Sequence, residues 1–372
     1  MIAIKKLTGE DLVKFIESEA FDKLENIPIS KHRAWSHFHN PHRDKGDVIL
    51  YLAYMQDELV GYRTIMPGLL RGIDGSPVKV GWLSGNWVDP NKRRKGIASL
   101  LLESALSDWH SKLLYTNYAP ISKAVYDKSD SFMVYKSYTG ARFYPRSALS
   151  VILSGKNKIF MKMKLFLVFF DFVIDIFLAV PRRIIKLKYK PRDSRFEYLS
   201  FPDEDIFNYI SEHNKEELEV RNGETFNWIV YYPWIISTPL QDPLNKKYNF
   251  SSTARTFNQW HVKIKGIKGH VKGYLLLSRK NAYFHVQYFY VEQDFINTAM
   301  KIIIQSALKC KCRVITVYNP ELTKLLNWHL GSWLPGKKIY RKYIVTRELA
   351  DKFLPHPDEK AFQDGAGDVV FV

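Results

Sequence analysis

Residues 81–106 read GWLSGNWVDPNKRRKGIASLLLESAL. An apolar and aromatic run ends at Asp89-Pro90, four basic residues follow from Lys92 to Lys95, and a helical pattern of apolar residues begins after Gly96. Positive charge at the first turn of a helix opposes the helix dipole, which is already positive at that end. This order therefore predicts a strand, then a loop that binds an anion, then a helix.

The loop has features that suit a phosphate group. The backbone N–H groups of a first helical turn have no partner within the helix, so they can donate to an anion. Gly96 and Ala98 carry little bulk, and Arg93, Arg94 and Lys95 supply positive charge. A solvated charged loop is the plainer alternative. Nucleic acid is disfavoured because no aromatic residues are interleaved with the basic ones to form a platform.

Composition narrows the class of protein. The 372 residues carry 55 Lys and Arg against 38 Asp and Glu, so the net charge of +17 favours an anionic partner. This length suffices for two domains. Two cysteines are too few for a disulfide framework and indicate a reducing compartment. The first residues, MIAIKKLTGEDLVKF, lack the apolar core of a signal peptide, so we expect a cytoplasmic protein.

The chain contains an internal repeat. Strand and helix patterns alternate through the first 150 residues, and residues 281–346 repeat the order of residues 79–153: strand, long helix, strand, short helix, aromatic strand. A repeat of this size indicates two copies of one fold. Where the first copy has its basic loop, the second has Glu292-Gln293-Asp294, the ordinary stabilising charge for a helix N-terminus. We therefore expect only the first copy to bind the anion.

A different segment separates the copies. Residues 156–192 are strongly apolar in the middle and basic at both ends, with Asp171 and Asp175 one helical turn apart. A helix over the 16 residues Leu165–Val180 is about 24 Å long, short of the ~30 Å hydrocarbon core of a bilayer. We favour a connector helix buried between the domains. Peripheral contact of Phe160–Val180 with the inner face of a membrane is the open alternative.

The segment Val88–Ala98 resembles the acetyl-CoA signature of the GNAT N-acetyltransferase superfamily, V-x-P-x-x-[RQ]-x-x-G-x-[GA], at every specified position. The element order is most similar to the long two-domain members linked to bacterial surface-polysaccharide synthesis. The resemblance implies a mixed α/β fold with a largely antiparallel central sheet and flanking helices, built as tandem GNAT-like domains of which the second is degenerate. Predicted boundaries are a catalytic domain at 1–153, a connector at 154–196, a degenerate domain at 197–346 and a tail at 347–372.

The resemblance also assigns roles to residues. Acetyl-CoA would be the co-substrate, with a backbone N–H near Trp87 or Val88 polarising its thioester carbonyl and Tyr126 protonating the departing thiolate. For Tyr126 a core aromatic role is the alternative. The predicted acetyl-CoA-binding residues are Asn86, Trp87, Val88, Arg93, Arg94, Lys95, Gly96, Ile97, Ala98 and Asn117. The general base is left open among Glu58, Asp89 and a water chain held by Ser84 and Asn86.

The predicted function is transfer of an acetyl group to a primary amine by direct attack. By resemblance, the acceptor is an amino sugar or a sugar nucleotide. Two alternatives keep the fold: an acyl or aminoacyl transferase at a membrane surface, and a non-catalytic CoA-binding sensor. No metal is expected, because His37, His39 and His42 lack the neighbouring cysteines or carboxylates of a metal site.

Overall fold

Strands and helices alternate through the first 143 residues in the order that the sequence predicts. The computed structural model describes residues 1–116, 120–155, 157–191, 195–237 and 247–371. The elements of the first half are β1 (Ala3–Leu7), α1 (Gly9–Ile16), α2 (Glu19–Asp22), α3 (Lys31–Phe38), β2 (Leu50–Met55), β3 (Glu58–Arg71), β4 (Pro77–Val88), α4 (Ile97–Asp108), β5 (Leu113–Thr116), α5 (Pro120–Ser129) and β6 (Phe132–Phe143).

The connecting segment is helical from its beginning. Its helices are α6 (Leu149–Ser154), α7 (Lys158–Lys162), α8 (Lys164–Phe177) and α9 (Ala179–Lys188). The expected closing strand over residues 141–153 is therefore wrong beyond Phe143. The Asp171 carboxylate accepts hydrogen bonds from the backbone N–H groups of Leu149 and Ser150, at 2.8 and 3.1 Å, and so caps α6 from another helix.

The second half repeats the first. Its elements are β7 (Arg195–Leu199), α10 (Glu204–His213), α11 (Gly223–Tyr231), β8 (Ile236–Ser237), β9 (Thr253–Ala254), β10 (Phe257–Lys265), β11 (Val271–Lys280), β12 (Tyr283–Val291), α12 (Ile296–Lys309), β13 (Val314–Val317), α13 (Pro320–Leu330), β14 (Gly336–Thr346) and α14 (Arg347–Phe353). β8 and β9 form a small separate sheet.

Among the described residues, the other twelve strands form one sheet in the order β1-β2-β3-β4-β5-β14-β6-β13-β12-β11-β10-β7. Counted inward from the two edges of this sheet, each strand of one half has the same position as its counterpart in the other half. The parallel pairs of this sheet, β4 with β5 and β12 with β13, therefore occupy equivalent positions. The mixed, largely antiparallel fold and its internal repeat are confirmed.

The two halves exchange their closing strands. β14, from the end of the second half, pairs with β5 and β6 of the first, while β6 pairs with β13 of the second. β6 and β13 approach so closely that a Cβ at Gly140 would lie 2.3 Å from the carbonyl oxygen of Val317. The predicted boundaries at residues 153 and 197 thus divide the chain but not the sheet.

The preference for a buried connector is wrong. Within α8 only Leu167 and Asp171 are buried, and most of its apolar side chains are exposed. The apolar side chains remain exposed because the two carboxylates of α8, rather than its apolar face, contact the rest of the protein. No helix in the described part of the chain is long and apolar enough to cross a bilayer.

Candidate active site

A crevice opens where two parallel strands diverge. β4 and β5 pair only at Gly81 with Leu113 and at Trp82 with Leu114. Beyond Trp82, β4 continues to Val88 with β3 on one side and no second strand partner among the described residues. Its backbone N–H and C=O groups on the open side are therefore available to a ligand.

A β-bulge bends β4 beside this crevice. The register passes from Ile65–Leu83 to Arg63–Asn86, so that Ser84 and Gly85 together oppose the single residue Thr64 of β3. Gly85 is therefore one of the two bulged residues. The bulge gives Ser84 and Asn86 different surroundings on the two sides of the strand.

The loop after β4 has the backbone of an anion site. Arg94 and Gly96 both adopt left-handed conformations, with φ of 64° and 81°, and glycine adopts this conformation without steric cost. Gly96 has no side chain to cap α4, so the first N–H groups of that helix lack a side-chain acceptor. Because a Cβ at Gly96 would meet nothing within 4 Å, open space lies in front of the loop.

The crevice and the loop open into one cavity of about 700 Å³. It brings together eight of the residues predicted to bind acetyl-CoA, whereas Lys95 is absent from its walls. Asn117, the tenth, lies outside the described residues. The cavity is lined by Asn86, Trp87 and Val88 of β4, by Lys92, Arg93, Arg94, Gly96, Ile97, Ala98 and Ser99, and by Ala124, Val125 and Lys128 of α5.

Charge in this cavity is left uncompensated. Lys92 pairs with Glu58 at 3.0 Å, which raises the pKa of the ammonium group and neutralises it locally. In the described chain Arg93 and Arg94 form no ion pair, and the buried Oδ1 of Asn86 has no hydrogen-bond partner. An unpaired buried polar atom and two free guanidinium groups suit a ligand that carries both phosphates and amides. The residues present thus fit an acyl-CoA.

Tyr126 lies behind this cavity rather than in its wall. Its hydroxyl accepts a hydrogen bond of 3.1 Å from Nη1 of Arg63, and its ring stacks on Tyr115 at 4.4 Å. Arg63 is 1% exposed, and its Nε and Nη2 atoms have no partner. Arg63 pairs across the strands with Asn86, which lines the cavity. The sequence analysis missed Arg63, which no local motif marks.

A buried polar cluster, the Arg33 cluster, lies on the other side of the bulge. Arg33 donates to Ser84 at 2.7 Å, to Thr64 at 3.2 Å and to Tyr248 at 2.9 Å, and its guanidinium covers the ring of Trp234 at 3.8 Å. The hydroxyl of Ser84 donates in turn to the carboxylate of Asp368. These residues come from distant parts of the chain, so sequence spacing could not group them.

The carboxylates that the sequence offered as bases are otherwise engaged. Glu58 pairs with Lys92, and Asp89 accepts from the backbone N–H of Asn91 at 2.8 Å. Asp368, near the end of the chain, is the carboxylate bonded to the bulge. A docked or free tail was the expectation for these last residues, and the tail is docked.

The same tail occupies the equivalent crevice of the second half. There β12 carries a bulge at Gln287, whose carbonyl accepts from Gly365 at 2.6 Å. Beyond it, the side chain of Gln363 bonds to both backbone groups of Phe289, and Asp364 accepts from the N–H of Tyr318 after β13. The tail therefore satisfies the strand edges that remain free beside β4.

The three histidines for which no metal is expected contact the second half. His37 stacks on Trp234 at 5.1 Å, His39 stacks on Tyr232 at 4.4 Å, and His42 is 3.1 Å from the Thr225 hydroxyl. Burial lowers the pKa of His42 to about 4. The described residues include no group of three or more His, Cys, Asp or Glu arranged for a metal.

Comparison with known proteins agrees with this geometry. Residues 12–124 match the model of the acetyltransferase (GNAT) family, a match that runs from α1 into α5 and includes the loop. No curated protein matches the chain in sequence.

Solved structures show the fold of the whole chain. An N-myristoyltransferase of Saccharomyces cerevisiae with bound myristoyl-CoA and inhibitors is 12% identical, with a TM-score of 0.52 over 99% of this chain and 84% of that one. A GCN5-related N-acetyltransferase from Anabaena variabilis is 11% identical, with a TM-score of 0.50 over 92% and 72%. A probable N-acyltransferase from Enterococcus faecalis is 10% identical, with a TM-score of 0.50 over the same shares. The chain thus has the fold of these proteins, and residues 12–124 match the GNAT family model.

The anchoring of the tail predicts a pH dependence. Glu217 accepts from Gln363 and from Tyr290, both at 2.6 Å, and burial raises its pKa to about 7. A folded state that holds this proton loses stability as pH rises from the unfolded value of 4.5 to 7. We expect the free energy of unfolding to fall by up to about 3 kcal/mol across this window. In Glu217→Gln this pH-dependent decrease in the free energy of unfolding should be absent.

The measurement is urea unfolding at several pH values between 5 and 8. The exposed neighbour provides the control, since Glu216→Gln removes a carboxylate that is 82% exposed and should leave the slope unchanged. Parallel curves for wild type and Glu217→Gln would show that this carboxyl group does not hold the proton.

Proposed function

We propose that the chain is an N-acyltransferase that takes an acyl group from acyl-CoA and transfers it to a primary amine. Acetyl-CoA is the first candidate donor. The cavity between β4 and α5 carries this proposal, because a free strand edge and an uncapped glycine loop open into the same space. Arg93, Arg94 and the first turn of α4 would hold the diphosphate. Asn86, Trp87 and Val88 would pair with the amide groups of the pantetheine chain.

The reaction needs a proton donor for the leaving group. The amine nitrogen bonds to the thioester carbonyl carbon, the carbon–sulfur bond breaks, and the thiolate requires a proton. Tyr126 accepts its hydrogen bond from Arg63 and so keeps its own O–H proton to donate. A backbone N–H near Trp87 or Val88 would stabilise negative charge on the carbonyl oxygen.

The reaction also needs a proton acceptor on the amine side. Ser84 lies two residues before Asn86, and its hydroxyl already donates to Asp368. We propose that the amine passes a proton through Ser84 to the Asp368 carboxylate, while Arg33 positions Ser84 at 2.7 Å. The Arg33 cluster would then face the acceptor, and the cavity beside α5 would face the acyl donor.

An amino sugar, free or nucleotide-linked, is the acceptor class that we propose. Aromatic rings favour sugar faces, and the half-exposed ring of Phe250 lies beside Gly85, with Tyr248 and Tyr62 next to it. A role in surface-polysaccharide synthesis would follow. In this proposal the first half, residues 1–153, binds both substrates, and the degenerate half, residues 197–346, holds the tail that supplies Asp368.

A longer acyl donor is the second candidate. It is favoured by the likeness to the yeast N-myristoyltransferase, which binds myristoyl-CoA, and by apolar residues in the cavity wall, Trp87, Val88, Ile97 and Val125. Comparing turnover with acetyl-CoA, octanoyl-CoA and myristoyl-CoA would rank the donors. A non-catalytic CoA sensor would bind these thioesters without releasing thiol.

Arg93→Glu combined with Arg94→Glu should weaken acetyl-CoA binding at least about tenfold, because each charged hydrogen bond contributes about 1.5–3 kcal/mol. Calorimetry measures the affinity. Lys337→Glu with Lys338→Glu makes the same change of charge on exposed residues of β14, outside the cavity. Equal losses in both double variants would reduce the effect to net charge, and undiminished affinity in the first would refute the diphosphate site.

Tyr126→Phe should lower kcat about 100-fold to 1000-fold, because it removes the proton donor. It should leave acetyl-CoA affinity unchanged, because Tyr126 does not line the cavity. Thiol release measures turnover during a screen of amino sugars, polyamines and peptides. Tyr115→Phe, on the ring stacked against Tyr126, is the control. Unchanged kcat in Tyr126→Phe would assign this residue to the core.

Asp368→Asn should lower kcat/KM about 100-fold, because the amide cannot take the proton. Ser84→Ala should cost a similar factor, with little further loss in the double variant. Asp358→Asn changes an exposed carboxylate earlier in the tail and serves as control. If Asp368→Asn lowers only the free energy of unfolding, the residue anchors the tail and another group is the base.

A further inference from the structure

The connector presents an unusual outer surface. Helices α7–α9 expose apolar side chains that a water-facing helix would normally bury, and Leu165, Phe172 and Phe177 are 87, 65 and 75% exposed. Phe166, Phe169 and Val180 extend the same exposure. An exposed patch of this extent marks an interaction site. We call it the connector surface.

The polar side of α8 faces the protein instead. Asp171 is 1% exposed and accepts from the Ser147 hydroxyl at 2.5 Å, while Asp175 accepts from the Ser147 N–H at 2.8 Å and lies 3.5 Å from Arg313. These contacts determine the rotation of the helix, because turning its apolar side inward would break them and leave the backbone N–H groups of Ser147, Leu149 and Ser150 without their acceptors. The exposure is therefore built into the packing.

The surrounding charge indicates the partner. Residues 156–192 contain ten Lys and Arg and two Asp, and both Asp bond inward. Exposed basic residues flank the apolar ones: Lys162, Lys164, Arg183, Lys186, Lys188 and Lys190. Two copies of this surface would repel each other, whereas an anionic lipid surface attracts the basic groups and accepts the rings at its acyl boundary.

We propose that the connector surface docks the protein peripherally on anionic membranes, with α8 lying in the plane of the interface. The basic side chains contact lipid headgroups, and the phenylalanines enter the acyl boundary. This inference stands independently of the acyltransferase proposal, since none of these residues lines the cavity. If both hold, acyl transfer occurs at a membrane surface, and acceptors carried by lipids come within reach.

Vesicle flotation of the full chain tests the proposal. Binding to phosphatidylcholine vesicles that contain phosphatidylglycerol should exceed binding to pure phosphatidylcholine by about tenfold or more, and should weaken as salt is raised. Phe169→Ser with Phe172→Ser and Phe177→Ser should reduce binding about 100-fold. Lys186→Glu with Lys188→Glu should abolish the preference for anionic vesicles.

A matched variant separates the connector surface from general hydrophobicity. Ile73→Ser with Ile267→Ser and Trp328→Ser removes three exposed apolar side chains elsewhere, and should leave vesicle binding unchanged. Urea unfolding confirms that each variant is folded. The proposal would be overturned if the protein bound neither kind of vesicle, or if both triple variants lost binding equally. It would also be overturned if the protein formed a concentration-dependent dimer that only the triple phenylalanine substitution dissociated.

Discussion

The exchange of closing strands is the constraint on which the rest of the structure depends. β14 inserts between β5 and β6, and β6 reaches across to β13, so each half completes the other's sheet. The exchange also determines where the chain goes next. Because β14 lies in the first half, the segment after it starts there, passes through the second half's crevice, and returns to the first half's bulge.

Of the two crevices of the repeat, one is open and the other is filled by the tail, and the difference has physical reasons. Beside β4, a left-handed glycine and uncompensated arginines leave an open, positive cavity. Beside β12, the acidic Glu292 precedes the helix and pairs with Lys272 of β11 at 3.0 Å, and the tail side chains satisfy the strand edges. One copy of the fold therefore keeps an open cavity, and the other uses the same geometry to hold the tail.

In the connector, helix α8 turns its polar side toward the protein and its apolar side outward, and it still packs against the rest of the chain. Its two carboxylates serve as inward anchors, capping α6 and approaching Arg313, so the apolar residues are left outside. Such a helix suits a protein that contacts a lipid interface on that side. The connector surface thus lies apart from the cavity, whereas the tail reaches the bulge beside it.

The sequence by itself determined most of the elements, the repeat and the basic glycine loop before α4, because these follow from local periodicity and from residue types at short spacing. It also indicated that the second copy lacks a binding loop, since Glu292 and Asp294 stand where the first copy has basic residues. Only the tertiary structure decided the strand exchange, the hydrogen bonds that join Arg33 and Ser84 to Asp368, and the hydrogen bond from Arg63 to Tyr126. These contacts join residues far apart in the chain, and pairing of that kind leaves no pattern within any one segment. The orientation of α8 was undecidable for the same reason: an amphipathic helix shows two faces, and only its neighbours decide which one turns inward.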